Sequence, residues 1–207
     1  MFNNPVLSAG LAMSVLVSTV MMTTLVVGPF YLAGALGLQA AVVGLVLSVG
    51  PLVAVFTGVP AGRVADRFGA ERMIFAGLSG IAAGCFLLSV LPDGIASYVA
   101  SLAIMTGGYA VFQAANNTTV MTDIPSEQRG VVSGMLNLSR NLGLITGASV
   151  MGAVFALVSS AHDVATAQPH AVAMGMRITF AIAGMLMILA LAIAFGGRVL
   201  ASKAIGR

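Results

Sequence analysis

The chain has 207 residues, 59% of them hydrophobic and 7% charged, with a formal net charge of +3 and a mean hydropathy of +1.06. Soluble domains carry about 25% charged residues, so a water-soluble fold is excluded. Nine scattered basic residues are too few for a phosphate-tracking surface, which excludes nucleic acid as a partner. One cysteine, Cys85, in an apolar run supplies neither a disulfide framework nor a metal site, so no metal and no cofactor are expected. No cleavable signal is expected either, because no Lys or Arg precedes the first apolar run.

Six apolar runs predict six transmembrane helices, at about 7–31, 40–61, 73–91, 97–120, 131–159 and 178–197, each near the ~20 residues that cross the hydrocarbon of a bilayer. The fold class is therefore an all-α integral membrane bundle. A β-barrel would show alternating segments of ~10 residues instead. In the first run Ser14, Ser18 and Met21 or Met22 share a helical face, a mixed surface suited to apolar ligands. The second and third runs are joined by Gly62-Arg-Val-Ala-Asp66-Arg67-Phe-Gly69-Ala-Glu71-Arg72, which holds five of the fifteen formally charged side chains and reads as a mixed-charge turn. Gly62 permits close backbone approach and Gly69 a tight turn. Asp66 is placed to meet the positive N-terminal end of a neighbouring helix, while Arg67 and Arg72 can pair with carboxylates or lipid phosphate.

Pro92-Asp93-Gly94 marks the next turn. In the fourth run Tyr109, Gln113 and Asn116 or Asn117 form a polar stripe that either hydrogen-bonds a substrate or bonds across to another helix for about 1 kcal/mol. Asp123-Ile-Pro125-Ser126-Glu127-Gln128 opens the fifth helix. There Ser133, Asn137 and Asn141 lie along one face with Arg140 beside it. Arg140, 11 residues past Arg129, would sit about 16 Å along a helix, and an intramembrane arginine is a candidate functional residue. Alternatively, residues 141–160 cross alone and Arg140 snorkels at the rim. The sixth run, Ile178 to Gly197, is bracketed by Arg177 and Arg198. Gly58 with Gly62, Gly80 with Gly84, and Gly143 with Gly147 have the GxxxG spacing of helix contacts in lipid, with Gly152 further along the same helix.

With the N-terminus inside, the cytoplasmic side holds Arg63, Arg67, Arg72, Arg129, Arg198, Lys203 and Arg207, and the other side only Arg177, with Asp93, His162, Asp163 and His170. Both termini are thus expected in the cytoplasm. The acidic residues (Asp66, Glu71, Asp93, Asp123, Glu127 and Asp163) all fall in loops or at helix ends, so no carboxylate is placed to titrate within the membrane. An enzyme is not expected. Neither histidine is in a span, the spacing of Gly130-Val-Val-Ser133-Gly134 is wrong for a nucleophile turn, and no HExxH, cysteine pair or nucleotide loop occurs.

Three segments carry a family resemblance. Gly62-x-x-x-Asp66-Arg67-x-Gly69-x-x-Arg72 resembles the loop motif between the second and third helices of each half of major facilitator superfamily transporters, although that family usually has a basic residue where Ala70 or Glu71 stands. Gly107-Gly108-Tyr109-Ala-Val-Phe112-Gln113-Ala-Ala-Asn116-Asn117-Thr118 and Arg129-Gly130-Val-Val-Ser133-Gly134-Met-Leu-Asn137-Leu-Ser-Arg140-Asn-Leu-Gly143-Leu-Ile-Thr-Gly147 resemble segments of bacterial drug:proton antiporters. The resemblance implies a transporter of two six-helix bundles with substrate near the midplane between them, working by alternating access and exporting drug-like small molecules across the bacterial cytoplasmic (inner) membrane.

On this resemblance residues 1–207 correspond to one bundle, the C-terminal half, with the N-terminal half absent. The chain would be a fragment of a longer gene, one subunit of a split transporter, or a half-size protein that homodimerises. Its implied partners are the lipid bilayer, a small-molecule substrate and an N-terminal six-helix half. The first, fourth and fifth helices would line the cavity through Ser14, Ser18, Tyr109, Gln113, Asn116, Asn117, Asn137, Arg140 and Asn141. Gly62, Asp66, Arg67, Gly69 and Arg72 would form a cytoplasmic gate latch, or else a plain topology signal. The competing expectation is a membrane subunit that transports nothing alone.

Overall fold

The computed structural model describes residues 5–90, 94–122, 124–159 and 168–205. Pro92, Asp93, Asp123, His162, Asp163 and Arg207, each part of a sequence expectation, lie outside the described residues. Among the described residues six long apolar helices make up the fold: α1 (Pro5–Ala35), α2 (Ala40–Phe68), α3 (Ala70–Val90), α4 (Ile95–Met121), α5 (Ser126–Val158) and α6 (Pro169–Ile205). All six are long and apolar enough to cross a membrane, so the chain is an all-α, multi-pass integral membrane protein. Gly77 meets Phe112 and Gly84 meets Met105, so α3 and α4 run antiparallel, and one end of the bundle carries the α2–α3 junction, the end of α4 and Arg198.

Two expected boundaries are corrected. The segment 62–68 is not a turn: α2 continues through Arg63, Asp66 and Arg67 to Phe68, and the whole reversal into α3 falls on Gly69. No helix-breaking residue stands between Arg63 and Phe68, and charge does not end a helix that has left the hydrocarbon. At ~1.5 Å per residue α2 reaches about 44 Å, the thickness of a bilayer with its headgroups. Gly69 has φ of +89°, where an L side chain is strained. The second correction is α6, which begins at Pro169 rather than near Ile178. Proline suits the first helical position, where its missing N–H costs nothing, and Arg177 consequently lies within the helix.

α1 and α5 each contain a π turn, Tyr31–Ala35 just after Pro29 and Gly147–Met151 in the middle of α5. α5 opens on a 3₁₀ turn, Ser126–Gln128, and the Arg129 Nε donates to the Ile124 carbonyl at 3.2 Å, which ties down the entry.

Between helices in lipid there is no hydrophobic drive, so close packing decides which pairs associate. The most extensive seam joins α3 to α4. A Cβ added at Gly77 would stand 2.6 Å from the Phe112 nitrogen, and one at Gly108 would stand 2.8 Å from the Gly77 carbonyl oxygen. Gly80 and Gly84 line the same seam against Gly108 and Met105. A second seam joins α1 to α5. A Cβ at Gly143 would run into the Val15 carbonyl and stand 2.7 Å from the Ser18 Cβ, and one at Gly147 would stand 2.8 Å from the Met22 Cβ. The Thr19 hydroxyl donates to the Gly143 carbonyl at 3.1 Å across this seam. A Cβ at Gly152 would stand 3.5 Å from Val26, an ordinary contact that does not require glycine, and one at Gly58 or Gly62 would meet nothing within 4 Å among the described residues. Tyr31, Tyr98, Phe112 and Phe180 fill the centre, with Tyr31 and Tyr98 stacked at 6.0 Å between ring centres.

These seams set a test. Gly108→Ala and Gly143→Ala are expected to destabilise the bundle by about 1–3 kcal/mol through backbone overpacking, while Gly58→Ala leaves stability unchanged or slightly raised. Thermal unfolding in detergent, followed by a thiol-reactive fluorophore on the buried Cys85, measures all three.

Candidate functional site

The helices pack as an arc. α2 lies on α4, α4 on α3, α3 on α6, α6 on α1, and α1 on α5, with a lighter contact between α1 and α4. α2 and α5 are its two ends and are not packed on one another among the described residues. Only 11% of the most apolar stretch of α2 and 22% of that of α5 is buried inside the bundle, against 56% for α1. In the mouth of the arc α1, α2, α4 and α5 enclose an open groove of about 220 Å³. Met21, Thr24 and Leu25 come from α1, Leu47, Pro51 and Ala54 from α2, Leu102, Thr106 and Tyr109 from α4, and Leu144 from α5.

Beside this apolar groove sits a polar cluster that spans α4 and α5. The Gln113 side chain lies 2.7 Å from the Tyr109 hydroxyl and within 2.9 and 3.0 Å of Arg140 Nε and Nη2. A guanidinium can only donate, so it is the Gln113 Oε1 that faces it, accepting from both arginine nitrogens and from the tyrosine hydroxyl. Tyr109 belongs to the groove wall and the cluster together. Leu144, one helical turn from Arg140, also lines the groove.

Arg140 is well inside the helices. Gln113 stands eight residues from the end of α4, about 12 Å, and Arg140 stands 11 residues past Arg129, about 16 Å along α5. Arg140 is half-buried and, among the described residues, makes no ion pair.

α5 shows three faces, with Val132, Leu136, Ser139 and Gly143 buried against the bundle and Val131, Leu138, Leu142 and Ile145 exposed and apolar. On the third face Ser133, Asn137 and Asn141 are exposed beside the half-buried Arg140. The first of the exposed faces suits lipid. The second does not, because a polar group at membrane depth must meet protein or water.

The other polar candidates divide. Asn116 is fully buried and its Nδ2 donates to the Ser14 Oγ at 3.0 Å and the Gly10 carbonyl at 3.3 Å, so Asn116 and Ser14 clip α4 to α1. Ser18 is buried against Gly143. These three therefore lie in helix seams rather than in the groove wall, since the first face of α1 is covered by its neighbours. Asn117 is exposed, and nothing brings it to the Gln113–Arg140 cluster.

At the end bearing Gly69, the residues Asp66, Arg67 and Arg72 are exposed. Asp66 makes no hydrogen bond or ion pair among the described residues, and the Arg67 guanidinium lies 5.7 Å from the Phe68 ring centre. Glu71 reaches Arg198 at 3.7 Å, an exposed pair linking α3 to α6. Sequence reasoning missed α2 as a wall of the groove and missed Thr24 and Thr106 in its lining.

A polar-flanked groove among membrane-spanning helices is the architecture of a multi-pass transport protein, and the comparisons agree. The family model described as Major Facilitator Superfamily matches residues 1–148. The chain belongs to the major facilitator superfamily. It is 34% identical over 149 residues to the uncharacterized transporter YebQ of Escherichia coli strain K12, covering 71% of this chain and 33% of that protein. It is 26% identical over 122 residues to the multidrug efflux pump LfrA of Mycolicibacterium smegmatis, covering 58% and 24%. It is 28% identical over 130 residues to the riboflavin transporter RibZ of Clostridioides difficile, covering 62% and 28%. The matches thus span about a quarter to a third of these relatives' lengths. The relatives are transporters rather than enzymes.

The Gln113–Arg140 pair sets the next expectation. Gln113→Leu removes the acceptor that a charged group uses at depth and is expected to destabilise the bundle by about 1–3 kcal/mol, with Gln113→Glu restoring most of it. The same Cys85 unfolding assay measures both.

Proposed function

We propose that the chain is the C-terminal six-helix bundle of an alternating-access secondary transporter that exports drug-like small molecules. One observation carries the reading: the groove bounded by α1, α2, α4 and α5 opens between the two least buried helices, and a polar stripe on α5 borders the same opening. A second six-helix bundle across that opening would close the groove into a midplane cavity and give Asn137, Arg140 and Asn141 a protein or water surface instead of lipid. Efflux as the direction rests on relatives named for multidrug efflux or resistance, LfrA among them. The riboflavin transporter among them supports a narrower, single-metabolite substrate as the second reading.

In this reading both termini are cytoplasmic, because the basic residues gather at the Gly69 end, and the membrane is the bacterial cytoplasmic membrane. Gly62, Asp66, Arg67, Gly69 and Arg72 then form the cytoplasmic latch. The exposed Asp66 carboxylate is free to meet the positive N-terminal end of a helix in the facing bundle. A proton-coupled cycle would take its intramembrane carboxylate from that bundle, since the described acidic residues here, Asp66, Glu71 and Glu127, sit at helix ends.

The test is drug accumulation in cells stripped of their own efflux pumps. Expression of the gene that encodes this chain is expected to lower accumulation of at least one of ethidium and fluorescein, a cationic and an anionic dye, and Ala54→Trp, which fills the groove, to abolish the effect at equal membrane abundance. Accumulation of both dyes that is unchanged by the wild-type gene contradicts efflux, and full activity of Ala54→Trp contradicts the groove. For the latch, Asp66→Asn is expected to slow export severalfold with the protein still folded, and full activity of that variant removes the latch from the account.

A further inference from the structure

On the transport reading the Arg140 guanidinium is a cation at membrane depth, and among the described residues its one bonded partner is the neutral Gln113. Of the five N–H donors of an arginine, two are taken by the Gln113 Oε1 at 2.9 and 3.0 Å. That oxygen also accepts from the Tyr109 hydroxyl, which leaves it no further capacity for the guanidinium. Among the described residues no carboxylate pairs with Arg140. Holding a charge at this depth with one amide is costly, and the planar guanidinium keeps a free edge matched to an oxyanion. Gln113 fixes the plane of that edge, and Tyr109 fixes Gln113.

The surroundings describe the rest of a ligand. Tyr109 and Leu144 belong to the groove that runs past the cluster, whose other walls are Met21, Leu47, Pro51 and Leu102. Methionine and branched aliphatic side chains make an adaptable apolar wall. We infer that the groove takes amphiphilic organic anions, with the apolar body against α1, α2 and α4 and a carboxylate or similar oxyanion on the free edge of Arg140. The inference rests on the reading of the groove as the transport site and narrows its substrate class. A carboxylate side chain of a facing bundle offers Arg140 the same chemistry, and the test separates the two sources.

The experiment is binding to the purified chain in detergent. Unfolding is followed through Cys85, the sequence's one cysteine and fully buried in the core. The probes are 1-naphthaleneacetate, its neutral amide, and acetate. The naphthalene acid is expected to raise the unfolding temperature saturably, with a half-maximal concentration about tenfold below that of the amide, the difference between a charge-assisted and a neutral hydrogen bond. Acetate, lacking the apolar body, is expected to give no shift at the same concentrations. Arg140→Gln removes the preference for acid over amide, and Arg140→Lys keeps a weakened preference.

Equal shifts by acid and amide on the wild-type chain overturn the inference, and assign Arg140 to fastening α4 to α5 or to a protein carboxylate. A folded Arg140→Gln that still prefers the acid overturns it too. Should Arg140→Gln fail to fold, the wild-type comparison and Arg140→Lys decide the matter. Binding is read here without transport. A chain that prefers the acid but exports nothing contradicts only the transport reading, and one that exports dye without preferring the acid contradicts only this inference.

Discussion

The close approach of Gly143 to the backbone of α1 at Val15 sets how α5 is turned, and the candidate site depends on it. Helices in lipid gain nothing by hiding apolar surface from one another, so a seam holds only where the backbones approach closely enough for dispersion and short hydrogen bonds. Gly143 and Gly147 allow that approach, and the Thr19 hydroxyl bridges it. The seam sets the rotation of α5 about its own axis. Once Gly143 faces α1, the helical period turns Leu138 and Leu142 toward lipid and carries Arg140 to the side of α4, where Gln113 meets it. The groove has its polar border because of this rotation.

The two kinds of buried polar residue in the bundle illustrate different physics. Asn116 donates to Ser14 and to the Gly10 carbonyl inside a seam, where these hydrogen bonds add specificity to the contact of α4 with α1. The Arg140–Gln113–Tyr109 cluster stands at the edge of a cavity. It leaves donor capacity unused, a state that a static structural contact would not favour. Both sets were polar letters at helical spacing in the sequence, and only their neighbours distinguish them.

The six helices were legible because apolar runs near 20 residues have one stable form in lipid. Their ends were less so. The charges after Pro60 mark where α2 leaves the hydrocarbon, which is not where it stops being a helix. The α3–α4 seam was half hidden, since Gly77 and Gly108 pair across two helices and no spacing within one helix announces such a match. The part of α2 in the groove was hidden altogether, because Leu47, Pro51 and Ala54 look the same whether they face lipid or a cavity. Arg140 was singled out by its charge, yet its meeting with Gln113 and Tyr109 across α4 and α5 needed the fold.

The account's central claim is that the α5 stripe faces a water-accessible cavity while the next face of the same helix meets lipid. Single cysteines in a Cys85→Ser background, placed at Asn137, Asn141, Leu138 and Leu142 and probed in native membranes with a membrane-impermeant methanethiosulfonate, test it most directly. The account predicts labelling at Asn137 and Asn141 and protection at Leu138 and Leu142, although the four positions share one depth range. Equal labelling of both faces, or protection of both, would contradict it.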